Sequence, residues 1–250
     1  MAGRTESALF SNAKPLIGKH ENWAQRWIGL RLTAGYAKET DEYGHNVLGP
    51  LKDAKTLTIR ISRVDTPDTG TCPTGHHLQN GKVFEGIRPL LADLTNDGLP
   101  EIITTISGIQ SGARVTVFDR EGNELASTPP IGRRNRWLAL IAAIDLDGDG
   151  HVEIAYVDRP HLAKTLRVWR YKDGALREVA HASGFSNHKI GWDYIEGGVR
   201  DCGQGPELIV ASGDWRHVVA VTYDGAGLHT RALGGYSADA IKRAMDCRLK

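Results

Sequence analysis

Ala143-Ile144-Asp145-Leu146-Asp147-Gly148-Asp149-Gly150-His151-Val152-Glu153-Ile154-Ala155 is the stretch from which the rest of the chain can be read. Between two apolar flanks it sets acids at alternate positions, broken by glycines. A tightly curled loop of that kind turns its alternate side chains toward one centre. Calcium, a hard cation, takes about six to eight oxygens at about 2.3–2.6 Å, which such a loop supplies. The spacing offers the side chains of Asp145, Asp147 and Asp149, the carbonyl of His151, and Glu153 from the start of the next strand. Gly150 follows the last of the three aspartates, where the backbone needs a positive φ or a close approach to the ion. An EF-hand would require an acid at the twelfth loop position and a helix beyond it. That position is Tyr156, and a β-rich run follows.

The same pattern stands 52 residues earlier, in Leu91-Ala92-Asp93-Leu94-Thr95-Asn96-Asp97-Gly98-Leu99-Pro100-Glu101-Ile102-Ile103. Its candidate ligands are Asp93, Thr95, Asp97, the Leu99 carbonyl and Glu101. Thr95 brings a neutral oxygen, so this site carries less charge and is expected to bind more weakly. A third copy at 199–210 keeps Asp201, a glycine and Glu207 but is two residues shorter, and it is expected to hold no ion. Each copy is followed by β-branched runs at 101–106, 153–157 and 207–211, then by second runs at 114–118, 165–171 and 217–223. Glu121-Gly122, Asp173-Gly174 and Asp224-Gly225 are hairpin turns, and third runs follow at 124–128, 176–181 and 228–232. Antiparallel units of three or four strands at a period near 50 read as propeller blades. The expectation is an all-β fold, a small closed β-propeller of about four to five blades, because closure leaves no bare strand edges. Runs at 28–38, 56–64 and 82–84 suggest a further irregular blade, with 65–81 as a long insertion. Residues 237–245 read as a short helix with Ser237 or Asp239 near its N-cap. The chain therefore divides into an N-terminal segment at 1–26, flexible or leader-derived, a propeller at 27–236, and a C-terminal helix and tail at 237–250.

A chain of 250 residues with net charge +1 and interleaved acids and bases is a poor match for nucleic acid or an anionic membrane. No stretch reaches the roughly 18 apolar residues of a membrane-spanning helix. Residues 1–19 lack the apolar centre of a signal peptide. Cys72, Cys202 and Cys247 fit no CxxC pattern; Cys202 and Cys247 either pair, in an oxidising compartment, or pack as small apolar residues.

The motif Asp-Leu-Asp-Gly-Asp-Gly-His-Val-Glu-Ile at 145–154 resembles the FG-GAP/VCBS repeat, the calcium-loop blade of integrin α-chain propellers and of many bacterial surface or periplasmic proteins. The resemblance spans roughly 85–235. It implies one or two calcium ions that stiffen the blades, a periplasmic or secreted location, and ligand binding by loops on a propeller face. On that basis the chain is expected to be a non-catalytic binding module for an unidentified protein or glycan. A lectin using tryptophans and Asp or Asn side chains is the narrower form of that reading. The alternative is a propeller-type hydrolase or lyase with catalytic residues spread over several blades. Plainer readings stand beside these. Acidic-glycine loops without metal are ordinary turns. His76-His77 reads as a solvated pair. Asp158-Arg159-Pro160-His161 reads as an ion pair in a turn or as a ligand-contacting loop, and Trp137, Trp169, Trp192 and Trp215 read as packing between blades more readily than stacking on sugars. His161, His181, His188 and His217 lie at strand ends or in loops without a catalytic motif, and no residue is singled out as catalytic.

Overall fold

The computed structural model describes residues 5–9, 30–63 and 73–249. Thr5–Leu9 (β1), Leu30–Thr40 (β2), Asp53–Arg63 (β3) and Thr74–His77 (β4) form an antiparallel meander. Lys82–Phe84 (β5), Leu90–Ala92 (β6), Glu101–Gly108 (β7), Gly112–Phe118 (β8) and Glu124–Ser127 (β9) form the next. A single bridge, Ala54 to Phe84, joins these two into one sheet. Leu138–Ile144 (β10), Glu153–Asp158 (β11), Thr165–Lys172 (β12) and Ala175–Ser183 (β13) make a separate four-stranded sheet. The last sheet holds Phe185–Ser186 (β14), Gly198–Asp201 (β15), Pro206–Ser212 (β16), His217–Tyr223 (β17) and Leu228–Gly235 (β18). The fold is an all-β propeller with four blade units among the described residues, closed off by one short helix, Ala238–Met245 (α1).

Burial explains the sequence pattern of each blade. The second strands, β7 and β11, are buried at every residue, because a neighbouring sheet covers each face. They therefore read as continuous apolar or β-branched runs and not as alternating ones. Leu32, Leu57, Ile59, Phe84, Ile102 and Phe118 fill the space between the first two units. Ile103, Val115 and Val117 pack on Leu138, Ile154 and Tyr156 between the second and third, and Ala155, Leu166 and Val168 on Leu208, Val210 and Val221 between the third and fourth. Among the described residues, the far face of the fourth sheet meets no further sheet. Ile241 and Ala244 of α1 cover Ile209, Val218 and Ala220 there. Ser237 is the N-cap, accepting from the Ala240 N–H at 3.0 Å, and the Cys202–Cys247 disulfide ties the end of the helix to the loop after β15. β6, β10 and β15, the first strands of successive blades, lie around a cavity of about 380 Å³ lined by Leu90, Leu138, Leu140, Val199 and Met245.

Several upstream expectations change. Residues 82–84 form β5, which pairs mainly with β7 and so belongs to the second unit. His76-His77, expected in a solvated insertion, lies in β4 on the edge of β3. Residues 64–72, including Cys72, fall outside the described residues, as does most of 1–26, although Thr5–Leu9 forms β1. In each repeat the strand before the loop (β6, β10, β15) had only its end marked by the motif. It is short or low in β-branched residues, and its identity comes from pairing with the strand after the loop.

Candidate functional site

The three loops occupy one structural position. Ala92 pairs with Glu101, Ile144 with Glu153 and Arg200 with Glu207, so each loop joins the first two strands of its blade. The six-residue third loop is closed by the same register that spans eight residues in the other two.

In the 145–153 loop the carboxylates of Asp145, Asp147 and Asp149 lie within 4.8 Å of one another. The loop's own amides hold them there. Asp145 accepts from Gly148 N–H at 2.8 Å and Gly150 N–H at 2.9 Å, and Asp149 accepts from His151 N–H at 2.9 Å. Gly148 and Gly150 take φ of +77° and +88°, the conformation that lets the chain fold back on its own side chains. Glu153 is fully buried and accepts from Leu146 N–H at 2.9 Å. Burial raises its carboxyl, against the pull of that N–H and of Arg170. The Arg170 guanidinium donates to Glu153 at 2.5 Å, Asp149 at 2.7 Å and Asp147 at 2.9 Å. It lies in β12 directly opposite Glu153, so the register of the hairpin alone brings this cation to the acids.

The 93–101 loop has the same frame without that arginine. Asp93 accepts from Asp97 N–H at 3.2 Å and Gly98 N–H at 2.8 Å, and Asp97 accepts from Leu99 N–H at 2.8 Å. Buried Glu101 accepts from the N–H groups of Leu94 at 2.8 Å and Thr95 at 3.2 Å. Burial pushes its carboxyl up to about 7, and the Asp97 and Asp93 carboxylates add to the rise. The closest cation to the acids is Arg120, 3.7 Å from Asp97. Asn96 of this loop donates to the Gly150 carbonyl of the next at 3.1 Å, so the two loops touch.

The third loop has glycines where the others carry acids, and arginines of the flanking strands meet its Glu207. Glu207 receives Arg200 through Nε and Nη2 at 2.9 and 2.7 Å, and Arg231 at 2.6 Å. Arg200 also donates to the Ala244 and Leu249 carbonyls, joining the loop to α1. Of the predicted site residues, the structure brings the carboxylates of Asp145, Asp147 and Asp149 together and links Glu153 to them through Arg170, whereas in the first loop Asp97 N–H meets Asp93 and Thr95 reaches Glu101 without a comparable three-carboxylate cluster among the described residues. Leu99 and His151 stand at the exit of each turn. The motif search missed Arg170, Arg200 and Arg231, which counting cross-strand register from the hairpin turns would have placed.

The opposite end of the same strands carries a different chemistry. Trp137 is buried and donates to the Glu85 carbonyl at 2.8 Å, and Trp169 packs between the second and third units. Trp192 and Trp215 do not pack between blades. They meet Tyr194 and Tyr236 on the surface loops, with Lys189 Nζ 4.5 Å from the Trp215 ring centre. Leu162 and Ile190, 61% and 72% exposed, stand beside them on the same face.

Residues 93–156 match the FG-GAP-like repeat family. No curated protein matches the chain in sequence. Similar solved structures include a protein from Lactobacillus plantarum (11% identity, TM-score 0.42, 81% of this chain and 52% of that one). Two others are a europium-containing methanol dehydrogenase (12%, 0.42, 81% and 47%) and a rhamnogalacturonan lyase (14%, 0.42, 85% and 52%). The chain spans about half the length of each. With two conforming loops in one register, a third that has decayed in place, and a family match over the first two, residues 93–156 are an FG-GAP-like repeat segment of this chain.

Proposed function

We propose that this propeller is a non-catalytic binding module whose acidic loops take calcium as a structural ion. The carrying observation is the convergence of Asp145, Asp147 and Asp149 within 4.8 Å, backed by buried Glu153. An all-oxygen donor set suits a hard cation. Asp145, Asp147, Asp149, Glu153 and the His151 carbonyl would hold one ion; Asp93, Thr95, Asp97, Glu101 and the Leu99 carbonyl would hold another. The ion's contribution is to neutralise acids that the fold has already crowded together. Within the 93–101 loop the arginine at hand is Arg120, 3.7 Å from Asp97, a looser contact than the three hydrogen bonds Arg170 makes to the other loop, which favours occupancy there. Charge alone would rank the second loop higher, but the Arg170 guanidinium offsets one of its four carboxylates, against a looser Arg120 contact to one of the three in the first loop.

Binding of a protein or glycan partner is assigned to the face carrying Leu162, Ile190, Trp192 and Tyr194, because exposed apolar and aromatic side chains gather there. The disulfide supports an oxidising compartment, periplasmic or extracellular. No helix among the described residues is long and apolar enough to cross a membrane. Thermal unfolding in millimolar calcium against EDTA, with magnesium as control, tests the metal half of the reading. A calcium-specific rise is expected, since an ion bound only by the native state adds about 2.7 kcal/mol at a hundredfold excess over Kd. An unchanged melting curve together with no calcium by direct metal analysis would refute it. Pull-down with the intact chain in calcium, compared with a Trp192→Ala variant, tests the face.

A further inference from the structure

A second cavity, of about 320 Å³, opens on the face away from the acidic loops. Its polar lining comes from three separate stretches: His45 from the loop between β2 and β3, Asn135 and Arg136 ahead of β10, and Arg159 and His161 after β11. No carboxylate belongs to that lining among the described residues. Arg159 spends Nε and Nη2 on Asp158, at 2.6 and 2.9 Å, and keeps Nη1 without a partner among the described residues. Arg136 donates to the Asn135 carbonyl at 2.8 Å and meets no acid there.

The imidazoles are held in defined states. The His188 Nε2 faces the Trp192 carbonyl at 2.9 Å, which can only accept, so that nitrogen carries the hydrogen. Burial keeps His188 neutral by lowering its pKa, and its Nδ1 is therefore an acceptor. The His161 Nε2, 3.0 Å away, must then donate to it, which leaves a lone pair on His161 Nδ1. Burial, with the neighbouring His188 and His45, lowers His161 to about 4, so it is neutral near pH 7. His45 donates from Nδ1 to the buried Glu85 at 2.5 Å, and Ser107 donates to the other oxygen of that carboxylate. Its ring is thereby fixed in orientation, as partnered histidines of binding sites are. Arg159 also takes a φ of +48°, unusual for a long side chain, and is pinned there by its N–H to the Trp137 carbonyl at 2.9 Å.

The cavity thus sets cationic donors beside a neutral acceptor. We propose that it binds a hydroxylated acid: a carboxylate or phosphate group taken by Arg136 and Arg159, with an adjacent hydroxyl donating to His161 Nδ1. A sugar acid and a sugar phosphate share this chemistry. The proposal rests on reading this face as the binding face but not on calcium.

Calorimetry on the intact chain with D-glucuronate, D-glucose 6-phosphate, D-glucose and inorganic phosphate is the test. At least one hydroxylated acid is expected to bind about tenfold or more tightly than glucose or phosphate alone. The two acid arms tell carboxylate from phosphate. Arg136→Gln, a near-isosteric change at a half-buried side chain outside the hydrophobic clusters, should weaken the acid by about tenfold, as the loss of one charge-assisted contact does. Arg216→Gln, on the β16–β17 turn, should leave it unchanged. Equal binding of glucose, no binding of either acid, or an Arg136→Gln protein as tight as wild type would each overturn the proposal. A partner captured equally by wild type and Arg136→Gln would also overturn it, while leaving the face reading in place.

Discussion

Replacing Arg170 by glutamine should tighten calcium binding at 145–153 and destabilise the calcium-free protein. The guanidinium makes three hydrogen bonds to candidate ligands, at 2.5, 2.7 and 2.9 Å. An ion that takes Asp147, Asp149 and Glu153 has to displace all three. A buried charge-assisted bond contributes about 1.5–3 kcal/mol net. Asp149 is 40% exposed, so its pair with Arg170 counts as a surface one of about 0–1 kcal/mol. Rehydration of the released guanidinium returns part of the buried share. A net cost of about 1.5–3 kcal/mol for displacement is reasonable, which is roughly ten- to a hundredfold in Kd. The same loss in EDTA should lower the melting temperature by about 3–12 °C for a chain of this size. Calcium titration calorimetry would read the change, in an Asp93→Ala background that silences the other loop. A Kd within about twofold of the parent, or a weaker one, would refute competition between guanidinium and ion.

Three further outcomes follow from the same geometry. The Glu101 carboxyl sits at about 7 against an ordinary value of 4.5. A raised acid means that the native state holds its proton longer, so in EDTA stability should fall as pH rises from about 4.5 to 7, by at most about 3 kcal/mol. Glu101→Gln should abolish that slope and calcium should flatten it; parallel urea-unfolding profiles for wild type and variant in EDTA would count against the account. Replacing both Cys202 and Cys247 by serine opens a bridge of sequence separation 45. Loop entropy puts the loss at about 4 kcal/mol, hence a melting shift of about 8–16 °C; a shift under about 2 °C would mean that the docked helix already closes that loop. Arg200→Ala should cost about 3–5 kcal/mol, because it strips buried Glu207 of its main partner. Calcium should not rescue it, since the third loop lacks acids at its third and fifth positions; a calcium-dependent recovery specific to this variant would show that the decayed loop still binds.

The loops, their strands and the order of the blades were legible in the amino-acid sequence because each depends on neighbours in the chain. Gly150 needs its positive φ within one turn, and β7 and β11 announce their burial on both faces by unbroken apolar or β-branched runs. Asp224-Gly225 closes its own hairpin, where a side chain in place of Gly225 would stand 3.0 Å from the Asp147 carboxylate of the adjacent blade. What balances the buried acids was not legible as a motif. Arg170 meets Glu153 across a hairpin, and Arg200 meets Glu207 across a loop, through register and not through spacing that repeats. The second cavity lies further still from local reading. His45, Arg136 and His161 come from three separate stretches of the chain, and His45 is fixed by Glu85, forty residues away. Only the packing of sheets face to face brings those groups together. Packing also decided that Trp169 is a filler between blades while the equally half-buried Trp192 and Trp215 pack against Tyr194, Tyr236 and Lys189 of the fourth unit's loops. The same residue type at similar spacing had different fates, because what a side chain packs against is set by the neighbouring sheet or loop and not by the chain segment itself.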